Sequence, residues 1–581
     1  MTGRRWHGRT RNGIALLLLG VVLAGCASVP DSSPVQVLRQ VGDSEDPALP
    51  PGPVEGSNPL DLVRDFVFAS GSSIDRHGSA RRFLAPDAAD WDDAASLTVL
   101  GGQFDTVPAP GAADPATGST TIRIRGTALG RLTGAGAFEP GQAVFQQDVT
   151  VMRVDGQWRI SRLPDGTVVP LSILRDNYRT VRTWFVDPVR RLVVADLRYL
   201  PSVPARAQAA RALELLLAGP SGALQGAATS QLPAGAQLRS NVALSPDGAL
   251  IVDLTRVGDL DQAAREVLAA QVVLTLAEVN VAKVRLLVDG EPLLAGRVDL
   301  TRDDVAGRSA EVQPAADQPG LVVSGGRLRQ LTGPGAGAPV AGPLGEGSYD
   351  VQSAAATVDG ARLAAVTREG TRRTLVIGAA GAAVTPVPLT AATMSRPTWA
   401  PTGTEVWTVL DSESVARVSV DPDGARRTGQ VEADELTRIG AVRDLRLSRD
   451  GMRVVAVIDG ALYTAAVARG IDGRPAIRNV RRLRPVDLGE VVGADWRSAE
   501  SIVAITRGTQ LLVGQVSVDG LGIQPVLGNN LTPPLTAVAA VSNRALLVTD
   551  QAGVWSFGGG DQAAWRQVIG GAADAVPLYP G

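Results

Sequence analysis

The feature of this sequence that most constrains its fold is a regular repeat between residues 315 and 581. Tight-turn dipeptides recur there every 43 to 49 residues, and each follows a small or apolar strand end and precedes an alternating or apolar strand. The five positions are Asp359-Gly360, Thr402-Gly403, Asp450-Gly451, Ala499-Glu500 and Asn543-Arg544. A period of about 40 to 50 residues with four short strands is typical of a β-propeller blade. We therefore predict an all-β propeller over residues 315–581, with five to seven blades and six as the expected number.

The segment before the propeller, residues 177–302, combines strands and helices. Two strands meet at Asp187-Pro188, and a helix over residues 205–218 ends at Gly219-Pro220, a C′ glycine followed by proline. A hairpin about residues 246–248, a long helix over 261–279 and the strand KVRLLVDGEPL complete this α+β pattern. The ordered motifs LLLAGP, LPAGAQL, GALIVDL, QVVLTLAEV and VRLLVDG resemble the GerMN domain, first described in spore germination proteins. The resemblance implies an envelope module that binds a ligand or partner and has no established catalytic residues.

Residues 58–172 predict a further α+β domain. Asn58-Pro59 supplies an N-cap and a first helical residue, and apolar residues then recur at helical spacing. A second helical piece is predicted over residues 80–91. Alternating strands follow up to a hairpin with Asp155-Gly156 as a type I′ turn. Helices followed by a long antiparallel sheet resemble the cone-shaped NTF2-like fold.

The N-terminus carries the layout of a secretory signal. Four arginines precede an uncharged run over residues 14–24, and then comes Cys26, the only cysteine of the chain. Leu23-Ala24-Gly25-Cys26 resembles the lipobox of bacterial lipoproteins. The resemblance implies that signal peptide 1–25 is removed and that Cys26 becomes an S-diacylglycerol and N-acyl (palmitate-type) cysteine, anchored on the extracytoplasmic side of the cell membrane. An ordinary signal peptide with a chance cysteine is the alternative.

Residues 26–57, rich in Pro, Gly, Ser and acidic residues, predict a flexible tether.

Composition excludes several classes of function. A formal net charge of −3 offers no basic face for nucleic acid. The chain has two histidines, of which His7 leaves with the signal peptide and His77 is predicted to be a solvated loop residue. No Ser-His-Asp, Cys-His or HExxH set can be built from the rest, so we expect neither an enzyme nor a bound cofactor or metal.

Catalysis by carboxylates alone is the remaining enzymatic possibility. It would need acidic side chains that converge in the propeller channel, and the candidates just before inner strands are Asp350, Asp444 and Asp495. Loop capping is the competing interpretation of these residues. The pair Arg481-Arg482 is predicted to lie on a solvated blade edge.

Lipobox, α+β domain, GerMN domain and C-terminal propeller, in this order, resemble the actinobacterial LpqB family of lipoproteins. The resemblance implies an accessory of the MtrA–MtrB two-component system that binds the extracytoplasmic region of a sensor histidine kinase and modulates its signalling in cell-envelope homeostasis and division. The alternatives are a cell-envelope hydrolase or ligand-binding lipoprotein that uses the propeller channel, and an envelope lipoprotein without signalling output.

Overall fold

The computed structural model describes residues 51–581 except 334, 336, 422, 471, 486–487 and 559–563. Its first domain consists of short helices and one five-stranded sheet of order β4-β3-β2-β1-β5, in which only β1 and β5 run parallel. The elements are α1 (Pro59–Ala69), α2 (Gly78–Arg81), β1 (Leu97–Pro108), β2 (Ser119–Leu132), β3 (Phe138–Val154), β4 (Gln157–Arg162), β5 (Thr167–Pro170) and α3 (Leu171–Asn177).

Local sequence explains most of this domain. The Asn58 side chain accepts hydrogen bonds from the backbone N–H groups of Leu60 and Asp61, which confirms the predicted cap of α1. Asp155 and Gly156 both have positive φ, 50° and 79°, as the predicted type I′ turn requires. The predicted helix over 80–91 is wrong. Pro86 cannot continue a helix and keeps the preceding residue extended, so α2 is followed by a separate 3₁₀ turn.

The middle domain wraps an apolar core around one long helix. Its elements are β6 (Tyr178–Asp187), β7 (Leu192–Pro201), α4 (Ala205–Leu217), β8 (Gln237–Leu238), β9 (Ala243–Leu244), β10 (Leu250–Thr255), α5 (Gln262–Ala277), β11 (Lys283–Val288), β12 (Glu291–Pro292), β13 (Leu300–Thr301) and α6 (Arg302–Val305). Strands β10 and β11 are parallel and α5 connects them, whereas β6 and β7 form a separate hairpin. The Asp261 carboxylate caps α5 by accepting from the backbone of Ala264. The strand predicted to be the last, KVRLLVDGEPL, is divided by a turn at Asp289-Gly290 into β11 and β12, and β13 extends the sheet beyond it.

The remaining strands form six sheets among the described residues, which confirms the expected propeller and its blade number. Blade one joins β14 (Gly320–Ser324) and β15 (Arg327–Leu331) to the C-terminal β36 (Val576–Leu578). Blade two comprises β16 (Asp350–Ala356), β17 (Arg362–Glu369), β18 (Arg372–Ala379) and β19 (Val384–Ala391). Blade three comprises β20 (Thr398–Trp399), β21 (Glu405–Leu410), β22 (Ser414–Val420) and β23 (Arg426–Gln430).

Blades four to six follow the same antiparallel order. Blade four comprises β24 (Val442–Leu447), β25 (Arg453–Ile458), β26 (Ala461–Arg469) and β27 (Pro475–Leu483). Blade five comprises β28 (Val491–Ser498), β29 (Ser501–Thr506), β30 (Val513–Ser517) and β31 (Ile523–Val526). Blade six comprises β32 (Ala537–Ala539), β33 (Leu546–Asp550), β34 (Gly553–Phe557) and β35 (Trp565–Gly570). Short helices α7 (Pro343–Glu346) and α8 (Asp434–Thr437) lie between blades.

The ring closes by pairing the two ends of the propeller. Strand β36 pairs antiparallel with β14, with Leu321 opposite Leu578. The six strands β16, β20, β24, β28, β32 and β36 contact one another in sequence around the axis, so they are the inner strands. Each predicted tight turn connects the first two strands of a blade, which explains the period seen in the sequence.

Candidate functional site

The three domains meet at a buried network of charged side chains on β7. Asp196 accepts hydrogen bonds from the Arg198 guanidinium (2.8 Å) and from the backbone N–H (2.7 Å) and hydroxyl (2.9 Å) of Ser221. Arg198, whose side chain is fully buried, also donates to the carbonyl oxygens of Ala135 and Gly219, each at 2.8 Å. Because Ala135 belongs to the β2–β3 hairpin, this ion pair ties the first domain to the middle domain.

The propeller joins this network through Arg453 on β25. The Arg453 guanidinium donates to the carbonyl oxygen of Ala195 on β7 at 2.7 Å and to the Asp450 carboxylate at 3.2 Å. It also lies 4.0 Å from the Asp196 carboxylate. Arg453 and Asp450 are buried. Blade four therefore uses a buried ion pair to hold the middle domain.

A second junction involves the tight turn of blade five. Ala499 packs into the apolar core of the middle domain. Beside it, Arg182 on β6 binds Glu278 at 2.7 Å and lies 3.8 Å from Glu500. Burial, together with repulsion from two propeller carboxylates, raises the pKa of Glu311 at this junction to about 7.

The inner strands of the propeller carry another charged cluster. The Arg446 Nε atom on β24 lies 3.5 Å from the Asp495 carboxylate on β28, and Arg396 approaches the same carboxylate at 3.6 Å. Asp495 also accepts a hydrogen bond from the backbone N–H of Ala540 at 3.1 Å. Although burial opposes its ionisation, the neighbouring arginines hold the pKa of Asp495 below its usual range. This carboxylate is therefore a counter-ion for the arginines of adjacent blades.

The structure does not assemble the three carboxylates considered for catalysis. Asp444 lies near Asp495 and the same arginines, and burial raises its pKa. Asp350, by contrast, accepts a hydrogen bond from Arg368 on the neighbouring strand at 2.6 Å. Asp350 therefore does not converge with the other two carboxylates, as the hydrolase hypothesis requires. The Asp495 carboxylate is paired with arginines.

His77 is buried, so the prediction of a solvated loop histidine is wrong. Its side chain is 10% exposed and packs against Trp91, and Nδ1 donates to the carbonyl oxygen of Ser70 at 3.0 Å. Burial lowers the pKa of His77, although Asp93, 3.9 Å from Nε2, opposes this effect. The polar sequence around His77 did not indicate burial. In the structure one hydrogen bond and one contact with an aromatic ring are enough to accommodate the buried histidine.

The predicted solvated pair Arg481-Arg482 divides between two environments. Arg482 is exposed as expected, whereas Arg481 is half-buried beside Gly222 of the middle domain and burial lowers its pKa. The strand end between Arg481 and Arg484 borders an open groove of about 500 Å³, with Gln142 of the first domain on the opposite side. We call this the arginine groove. Within the part of the chain that the structure describes, neither Arg482 nor Arg484 has an ion-pair partner.

The predicted lipidation residue, Cys26, lies outside the described residues, as does the signal peptide. No helix in the described part of the chain combines the length and apolar character needed to cross a bilayer. The same part of the chain holds no group of three or more His, Cys, Asp or Glu side chains arranged to bind a metal ion.

The domain-junction residues are missing from the predictions made on the sequence. A signal was available, because Asp196 and Arg198 interrupt the apolar strand VVADLRYL and Arg453 begins the apolar strand RVVAVI. Charged residues within strands buried on both faces are rare unless they are paired. Their partners, however, come from other domains, which the periodicity of a single strand cannot reveal.

Fold and junctions define a class of protein: two α+β modules joined through buried ion pairs to a six-bladed propeller. Family models match along the chain in the same order. They are the LpqB N-terminal domain at residues 52–175, a domain described as sporulation and spore germination at 182–294, and the LpqB β-propeller domain at 326–580.

Curated relatives match over the whole chain. Lipoprotein LpqB of Rhodococcus opacus (strain B4) is 32% identical over 100% of both chains. Lipoprotein LpqB of Nocardia farcinica (strain IFM 10152) is also 32% identical over 100% of both, and that of Rhodococcus jostii (strain RHA1) is 31% identical over 98% of both. The chain belongs to the LpqB lipoprotein family. None of these descriptions names a catalytic activity.

Proposed function

We propose that this protein is a cell-membrane lipoprotein, anchored through Cys26 on the extracytoplasmic side, that binds the sensor region of an MtrB-like histidine kinase. In this role it modulates kinase signalling in cell-envelope homeostasis and division. Membership of a lipoprotein family and the lipobox-like sequence support the anchor. The kinase as partner rests on the family resemblance of the sequence.

A binding role is favoured over a catalytic role by one observation: buried charged side chains hold the domains together at their junctions. Arg198 and Arg453 are buried and donate across domain boundaries, and Asp196 is the buried carboxylate that accepts from Arg198. Buried polar groups whose partners lie in another domain favour one arrangement of the domains over alternatives. A fixed arrangement lets surfaces from three domains form one composite docking face.

The arginine groove is the part of that face that we assign to the kinase. Arg482 and Arg484 are exposed, and neither lies within ion-pair distance of a carboxylate among the described residues, although Glu139 also lines the groove. Complementary charge steers association and suppresses wrong partners. The groove would therefore dock an acidic patch on the sensor region.

The test is covalent capture in living cells, followed by identification of crosslinked partners by mass. We expect a histidine kinase to be enriched with the native protein and lost with Cys26→Ala, which removes the anchor. The double variant Arg482→Glu/Arg484→Glu should also lose the kinase. Arg566→Glu, at an exposed arginine on blade six, is the matched control and should retain it. Undiminished capture by the double variant would reject the groove as the docking face, and capture of no kinase would reject the proposed function.

A further inference from the structure

A cleft of about 630 Å³ lies where the first and middle domains face blade five of the propeller. Its size is within the range of small-ligand sites. One wall comes from α3 and the hairpin β6–β7, and the other from β29, β30 and β31. The apolar and aromatic lining includes Leu171, Leu174, Tyr178, Tyr199, Leu521 and Ile523.

Two arginines line the domain side of this cleft. Arg175 is exposed, and among the described residues it has neither an ion-pair partner nor a side-chain hydrogen bond. Arg179 donates to the amide oxygen of Gln208 at 2.8 Å, and burial lowers its pKa. Neither guanidinium forms an ion pair with a carboxylate of the described residues. Guanidinium groups bind carboxylates through paired, charge-assisted hydrogen bonds, so an anionic group is the natural ligand for this wall.

The propeller side of the cleft offers hydrogen-bond acceptors without partners. Ser501 Oγ and Glu500 Oε2 are buried and make no hydrogen bond within the described structure. A buried polar atom left without a hydrogen bond destabilises the folded protein. An N–H or O–H group on a ligand would remove this destabilisation.

The outer strand of blade five gives the cleft an edge that can pair with an extended chain. Among the described residues, strand β31 pairs only with β30, and Ile523 and Gln524 of this strand line the cleft. Free sheet edges bind extended peptides by adding a strand, with backbone hydrogen bonds for affinity and pockets for alternate side chains. A peptide is also the ligand class that carries a carboxylate, backbone N–H donors and apolar side chains together.

We propose that this interdomain cleft binds a short extended peptide by its C-terminal carboxylate. The carboxylate lies between Arg175 and Arg179, and apolar side chains contact Leu174 and Ile523. Backbone N–H groups of the peptide donate to the Ser501 hydroxyl and the free Glu500 oxygen. Such a site is independent of the arginine groove, because the two share no lining residue.

The binding experiment uses the mature chain with Cys26→Ala and, as probe, the N-acetylated tetrapeptide leucyl-alanyl-leucyl-alanine, followed by calorimetry and ligand-observed NMR. The same peptide as its C-terminal amide and sodium dodecanoate are the comparison ligands. We expect the free acid to bind with a dissociation constant below about 1 mM and the amide to bind about tenfold more weakly. Dodecanoate should bind more weakly than the peptide acid.

Two variants keep the test specific. Arg175→Gln, at an exposed position, should weaken binding of the acid about tenfold and leave the amide unchanged. Ser501→Ala should weaken the acid and the amide about equally, and its thermal midpoint should be no lower than that of the parent, since the hydroxyl it removes has no partner within the described protein. Arg566→Gln is the control and should bind like the parent. Equal binding of acid and amide, no binding of the acid, or tighter binding of dodecanoate would each overturn the proposal.

Discussion

Replacing Asp196 by asparagine tests whether the buried ion pair at the domain junction stabilises the protein as the structure implies. The side chains of Asp196 and Arg198 are 4% and 0% exposed and lie 2.8 Å apart. Asparagine has nearly the same shape. Its amide oxygen can still accept from Arg198 and the Ser221 backbone, and the Ser221 hydroxyl can rotate to accept from the amide nitrogen. The substitution therefore removes the charge and preserves most hydrogen bonds.

The expected loss of stability follows from the charge that remains. Arg198 stays buried without its counter-ion, and Arg453 loses an anion 4.0 Å away. Removing one partner of a buried ion pair costs about 3–5 kcal/mol. Because the hydrogen bonds survive, we expect about 3 kcal/mol for Asp196→Asn.

Urea unfolding of the mature Cys26→Ala chain measures this loss, with hydrogen exchange to locate the region that opens. Glu214→Gln is the matched control, because Glu214 binds Arg211 at 2.6 Å but the two side chains are 54% and 42% exposed. An exposed pair contributes about 0–1 kcal/mol, so this control should barely shift the transition. If Asp196→Asn costs less than about 1 kcal/mol, the role assigned to the buried pair is refuted.

Three further predictions follow from other parts of the molecule. Glu311 ionises near its ordinary pKa of 4.5 in the unfolded chain but at about 7 when folded, so the folded state holds more protons between these values. The free energy of unfolding should fall by about 3 kcal/mol as the pH rises from 4.5 to above 7, and Glu311→Gln should abolish most of this fall in urea titrations at pH 5 and 8. Deleting residues 576–581 removes β36 and opens the ring, so we expect rapid limited proteolysis within blade one; persistent protease resistance would contradict the closure. Cys26→Ala should move the protein from the membrane to the soluble fraction on cell fractionation, and unchanged membrane association would contradict lipid anchoring.

Local patterns in the sequence predicted much of the architecture. The cap at Asn58, the turn at Asp155-Gly156 and the tight turns of the propeller depend on a few neighbouring residues, and the structure confirms them. Their spacing predicted the blade number, because five of the six blades repeat the same four-strand unit with one tight turn each. The helix that ends at Arg81 shows that apolar periodicity alone does not predict where a helix ends, since Pro86 prevents the helix from continuing.

The candidate sites depended on contacts between distant segments. Arg198 and Ala135 lie 63 residues apart along the chain, and Arg453 and Ala195 lie 258 apart. The polar sequence around His77 predicted an exposed side chain, whereas its burial depends on contacts with Ser70 and the Trp91 ring.

The sequence by itself determined the order of modules, the period of the propeller and the lipobox-like motif, because these depend on local backbone preferences and on short motifs. Only the tertiary structure decided which charges are buried and which side chains meet. An isolated strand shows that Asp196 and Arg198 are charged residues in an apolar run, but not which carbonyl groups satisfy them. The free energy of a buried charge depends on its partners, and in this protein those partners come from three domains.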